Sequence, residues 1–158
     1  MTNTDLTLRT QLVELLDGHQ AHVELLSTLR KISVGNLSKK PDGAPSTLWE
    51  LFEHMRIAQS DILHFCQNPS HISPEWPEGY WPNNPPPTSH MKWEESIAAF
   101  RHDLDAVKAL VLNPEINLHE ALPHGNGQTM LREVLLVADH NAYHLGQLVL
   151  TLKMIGDW

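Results

Sequence analysis

Ala138-Asp139-His140-Asn141-Ala142-Tyr143-His144-Leu145-Gly146-Gln147 lies inside a proline-free run from Thr129 to Ile155. Leu131, Val134, Ala138, Leu145, Val149 and Leu152 recur through that run at helical spacing. This predicts a long amphipathic helix from about Thr129 to Gly156, with the glycine just past its end. At about 100° per residue, Glu133, His140, His144, Gln147 and Thr151 form a narrow polar strip beside the apolar face. His140 and His144 are four apart, so both imidazoles project from one face with their Cβ atoms close together. Such a pair suits two ligands of one metal ion, and a histidine from another helix would complete a site. Taken alone, the pair is equally well read as half-exposed polar residues on a helix margin.

Working outward, three more helices are predicted. Leu8, Leu12, Leu15, His19, His22, Leu26 and Leu29 alternate by four and three, a stripe that predicts a first helix from Asp5 to about Ser33. Gly18 falls in its middle, where glycine costs about 1 kcal/mol relative to alanine. A loop punctuated by Pro41, Gly43 and Pro45 follows. Thr47 and Glu50 have the spacing of a capping box and open a second helix that runs to about Asn68, before Pro69. Its inward stripe is Leu51, His54, Ala58, Ile62 and Phe65, which puts His54 in an otherwise apolar line. The third helix runs from about Ser89 to Leu112, with Trp93, Ile97, Phe100, Leu104, Val107 and Val111 as its apolar face. Asn117 to Leu122 reads as a strand or a turn of helix. Four amphipathic helices with connections of these lengths describe an all-α fold, a four-helix bundle in a single domain covering residues 1–158.

The connection between the second and third helices, residues 69–88, carries seven prolines and no periodicity. Loops of this length in compact domains are lids, binding loops or long crossovers. Extended, it can travel the length of a helix, which would let the third helix run parallel to the second. Trp76, Tyr80 and Trp81 lie in it, positioned either to close over a site or to cover core.

The composition excludes several classes of function. A formal net charge of −8, from 19 acidic and 11 basic residues, argues against nucleic acid and anionic membrane surfaces as partners. No stretch approaches the ~18 uninterrupted apolar residues of a membrane span. The segment Met1 to Arg9 lacks the basic head and apolar core of a signal peptide, and Cys66 is the sole cysteine. A reducing cytoplasm is the expected location. There is no H-E-x-x-H, no E-x-x-H, no G-x-S-x-G and no phosphate-binding glycine loop. Asp61 and His64 are three apart, but His64 points about 80° away from His54 around the same helix and is expected at the surface.

Eleven histidines in 158 residues are unusually many. His54 needs a partner, because burying an unpaired polar group costs several kcal/mol. His140 and His144 on another helix can supply one. Three neutral imidazoles with an open position match the ligand count of catalytic zinc sites and suit a borderline metal such as zinc or nickel.

The segments Leu48-Trp49-Glu50-Leu51-Phe52-Glu53-His54-Met55-Arg56 and Asp139-His140-Asn141-Ala142-Tyr143-His144-Leu145-Gly146-Gln147 resemble the DinB-like superfamily of metal-binding four-helix bundles. Their order and spacing agree over essentially the whole chain. The resemblance implies an up-down-down-up bundle with a long crossover between helices two and three. It also implies a mononuclear divalent metal, commonly zinc or nickel, at His54, His140 and His144, and a homodimer. Characterised relatives are thiol transferases and isomerases that activate a low-molecular-weight thiol, and other members carry a hydrolase label. The expected function is therefore activation of water or a small thiol for hydrolysis or S-transfer to a small-molecule substrate, the metal lowering the pKa of the nucleophile. A non-catalytic metal-binding or small-molecule-binding module is the alternative. His19 and His22 are expected to line the pocket from the first helix, with Gln147 and Glu133 also beside the metal. No catalytic residue is assigned.

Overall fold

The computed structural model describes residues 2–18 and 20–158, so the expectation for His19 lies outside the described residues. It contains five α-helices: α1 (Asn3–Asp17), α2 (Leu25–Lys31), α3 (Leu48–Gln67), α4 (His90–Leu112) and α5 (Met130–Met154). Two 3-10 turns, Val34–Asn36 and Glu78–Tyr80, complete the regular structure. Among the described residues there is no strand. Asn117 to Leu122 is turn, ending in a single bridge between Ala121 and Thr129.

Helix starts follow from side chains that satisfy backbone N–H groups left without a partner in the first turn. Thr47 and Glu50 form the predicted capping box. Ser89 accepts from the Lys92 N–H and Thr129 from the Arg132 N–H, so the starts of α4 and α5 fall where the sequence places them. At the other end of α5, Gly156 (φ 74°) is left-handed. Its N–H bonds to the Lys153 carbonyl, while the Asp157 N–H reaches the Leu152 carbonyl at 2.9 Å, the paired closure of a Schellman end.

The first predicted helix is two helices. Gly18 adopts φ 72° and its N–H closes onto the Glu14 and Leu15 carbonyls, ending α1. The chain re-enters helix only at Leu25, so the leucines at 26 and 29 belong to α2 and the stripe does not continue through the histidines. Gly18 is therefore a terminating glycine in the left-handed region, where a Cβ would be strained, and carries no mid-helix cost.

One apolar core joins all five helices. α3 packs against both α4 and α5, and α1 against α4 and α5. Phe52 lies at its centre, edge-on to Trp93 with ring centroids 4.8 Å apart and tilted against Phe100. Two buried polar side chains tie the helices together. Arg9 donates to the carbonyls of Val111, Asn113 and Ile116, satisfying backbone acceptors at and beyond the end of α4. Gln59 donates to the Phe100 carbonyl and accepts from Asn141, linking α3, α4 and α5 through one amide. Among the described residues no helix is long and apolar enough to cross a membrane.

A glycine at a helix end and one inside a helix predict opposite signs. Gly18→Ala forces a Cβ into the left-handed region and to 3.3 Å from His22 Cε1. It should lower unfolding free energy by about 1 kcal/mol. Gly146→Ala, inside α5 where a Cβ meets nothing within 4 Å, places a better helix former in the helix. It should raise stability by up to about 1 kcal/mol, with urea unfolding reading both.

Candidate metal centre

His54 projects from the middle of the buried face of α3, between Leu51 and Ala58, and is 4% exposed. His140 and His144 reach it from α5; His144 is buried and His140 is half-buried. One ring nitrogen from each of the three lies within 4.8 Å of the other two. The Nε2 atoms of His54 and His140 are 3.1 Å apart. Metal–imidazole bonds of about 2.0–2.1 Å in a tetrahedral array put ligand nitrogens roughly 3.3 Å apart, so this separation fits a shared ion.

The remaining nitrogens explain why these atoms converge. The Tyr80 carbonyl lies 2.8 Å from His54 Nδ1. A carbonyl can only accept, so Nδ1 carries the proton and Nε2 presents its lone pair. Likewise Gln147 Oε1 accepts the Nδ1–H of His144 at 2.7 Å, leaving Nε2 free to bind. Partners of this kind fix the tautomer and orientation of ligating histidines. Bound through Nε2, His140 would carry its ring proton on Nδ1 and so remain a neutral imidazole. The donor set, three neutral imidazoles without a carboxylate or thiolate, fits a divalent borderline ion.

Residues of the 69–88 crossover surround the centre. Trp81 stacks on the His54 ring with centroids 4.3 Å apart and planes 9° from parallel. Tyr80 supplies the carbonyl, and its hydroxyl donates to Asp61 at 2.7 Å. Trp76 packs against Tyr80 but is 73% exposed, so it covers neither core nor the histidines. Tyr143 sits edge-on to His144 from the solvent side. The half-buried His140 marks the side on which the centre opens.

Three residues expected beside the metal fall elsewhere or outside description. His19 is not among the described residues. His22 sits on the exposed segment between α1 and α2, its Nδ1 against the Val23 carbonyl, outside the three-histidine group, because α1 ends at Gly18. Glu133 is buried but lies two turns, about 10 Å, from His140 along α5, where its carboxylate pairs with Arg132. Its angle around α5 matches that of His140, but its height along the axis does not. Gln59 and the Tyr80 carbonyl also belong to the surroundings of the centre, as does Asp61, which the sequence offers only as the neighbour of His64. Gln59 could have been found as a polar residue between Ala58 and Ile62 on a buried face, while a backbone carbonyl leaves no signal of its own. His64 is exposed, as expected.

Electrostatics hold the two α5 histidines toward their neutral form. Burial first, then the proximity of His144 and His54, hold His140 down at about 4 against an ordinary 6.5. His144 is also lowered, by burial first, against the opposing hydrogen bond from Gln147. Both groups bind protons more weakly folded than unfolded, so their contribution to stability is present above 6.5 and lost as pH falls. Chelator-treated protein should therefore lose unfolding free energy as pH drops from 6.5 toward about 4. His140→Asn should flatten that slope, as read by urea denaturation across the window.

The sequence profile of the DinB superfamily matches residues 18–148, which include α2 through most of α5 and all three histidines. No curated protein and no solved structure matches the chain significantly. With a family profile covering most of its length and an all-helical fold, the chain belongs to the DinB superfamily.

Proposed function

We propose that this protein binds one divalent metal ion, zinc or nickel, through His54, His140 and His144, and uses it to activate water or a small thiol for hydrolysis or transfer. One observation carries the reading: the His54 and His144 Nδ1–H groups are each held by an acceptor, which leaves imidazole lone pairs converging on one point. The bound cation would supply Lewis acidity, lowering the pKa of a small nucleophile toward neutrality. The protein holds the two α5 imidazoles toward the neutral form, shields the His54 face with Trp81, and leaves His140 on the open side for a small molecule.

A thiol nucleophile would have to come from outside. Cys66, the only cysteine, is pushed up to about 12, by burial first and then by the charge of Glu133, and so stays a thiol. We further infer the up-down-down-up bundle, with α1, α3, α4 and α5 as its four helices and α2 as an added short helix. Partner residues support it. Along α3 and α4 they rise together, with Phe52 on Trp93 and Gln59 on Phe100. Between α1 and α4 they run oppositely, with Arg9 on Val111 and Asp17 on Lys108. Exposed Leu135, Tyr143, Leu150 and Met154 on α5 suit the homodimer found in the family.

Protein purified without a histidine tag should carry close to one metal ion per chain by elemental analysis, and His54→Ala or His140→Ala should lose it. Less than ~0.2 per chain, unchanged by His140→Ala, would overturn the metal. A panel of thiols and small electrophiles then separates enzyme from binding module. Turnover that a chelator abolishes and added metal restores marks the enzyme, and its absence across the panel marks the module.

A further inference from the structure

We propose that Asp61 is a positioning residue for the three-histidine centre, acting through Tyr80, so that a carboxylate two helical turns from His54 sets how tightly the centre holds its ion. The inference rests on the metal-binding reading above.

Tyr80 is held at both of its polar ends. Its hydroxyl donates to one oxygen of Asp61 at 2.7 Å, and its carbonyl takes the Nδ1–H of His54 at 2.8 Å. Asp61 and His54 are seven apart on α3, about 10 Å along the axis, and the tyrosine spans that interval. The second Asp61 oxygen takes the Nε2–H of His71, at 2.7 Å, from the start of the crossover. One largely buried carboxylate thus clamps the crossover at two points, residues 71 and 80. The ring that stacks on His54 belongs to the next residue, Trp81.

The intervening chain gives the carbonyl little freedom. Residues 78–80 form a tight turn in which the Gly79 N–H reaches the Glu75 carbonyl at 2.7 Å, and a Cβ on Gly79 would come within 2.8 Å of Pro74 Cβ. Beyond the site, Trp49 Nε1 donates to the Asn84 carbonyl, so residues 80–84 are fixed to α3 on both sides of His54. Removing the Asp61 contact leaves the Tyr80 carbonyl held by the turn, the ring contacts of Trp76 and Trp81 and the downstream anchor, without the one bond that fixes the far end of its own side chain. The histidine tautomer that presents Nε2 then loses the acceptor that selects it.

The test is cobalt(II) titration of chelator-treated wild type, Tyr80→Phe and Asp61→Asn. Each is followed by the cobalt visible bands and by urea unfolding of the metal-free form. Tyr80→Phe keeps the ring against Trp76 and leaves Asp61 with His71, so it decides the matter even if Asp61→Asn fails to fold. The expected result is cobalt affinity weakened about tenfold in both, with altered visible bands, the scale seen when the partner of a ligating histidine is removed. Wild-type affinity and bands in Tyr80→Phe overturn the inference, whether or not its metal-free stability falls, because a purely structural contact would move stability alone. Cobalt bound by wild type together with that result leaves the metal reading standing. Failure of wild type to take up cobalt removes both.

Discussion

The constraint on which this structure turns is the burial of one imidazole. His54 lies in the apolar face of α3 beside Leu51 and Ala58 and is almost wholly excluded from solvent. A ring in that position carries one N–H and one lone pair, and leaving either unpaired costs on the order of 1–3 kcal/mol. The lone pair meets His140 of α5, which fixes the register between those two helices. The N–H meets the Tyr80 carbonyl, in the crossover rather than in a neighbouring helix. The crossover comes back along α3 to residue 80, and the start of α4 then lies beside the start of α3, where Trp93 meets Phe52.

Gln59 meets a similar requirement one turn further along. Its amide must satisfy a donor and an acceptor inside the core, and it does so by joining the Phe100 carbonyl of α4 to Asn141 of α5. Asn141 adjoins His140, so the same contact that ties three helices also holds the backbone from which one of the three clustered imidazoles projects. Polar groups buried with their partners specify one arrangement, because any slip of register would leave several of them unpaired at once. Rigidity at the centre is thus a by-product of satisfying the core, with no separate scaffold required.

How much of this was legible in the sequence depends on whether the signal was carried by side chains at regular spacing. The starts of α3, α4 and α5 were readable because Thr47, Ser89 and Thr129 act through their own hydroxyls, and the convergence of His54, His140 and His144 because each is fixed by helical periodicity. Three features escaped that signal. The stripe from Leu8 to Leu29 kept helical spacing across Gly18 although the helix did not, since a pattern of four and three carries no record of a left-handed residue within it. Glu133 matched the angle of His140 but not its height. Asp61 was set aside because its helical neighbour His64 points outward, while its actual partners, His71 and Tyr80, come from a proline-rich segment without periodicity. A backbone acceptor such as the Tyr80 carbonyl can in principle come from any residue type, so only the fold discloses it.

The same environment that makes the histidines good ligands makes the cysteine a poor nucleophile, and this bears on what the centre can do. Removal from water disfavours whichever form is charged. For His140 that form is the imidazolium, so burial yields the neutral ring a cation needs, and the ring still opens toward solvent. For Cys66 it is the thiolate, and the buried carboxylate of Glu133 opposes ionisation further. One low-polarity interior therefore prepares a site for a cation and withholds an internal sulfur nucleophile from it. With Trp81 across one face and no carboxylate in the cluster, the positive charge of a bound ion would be offset chiefly by what enters from the His140 side. An anionic or readily ionised small molecule meets that demand, which is the chemistry of a hydroxide or a thiolate.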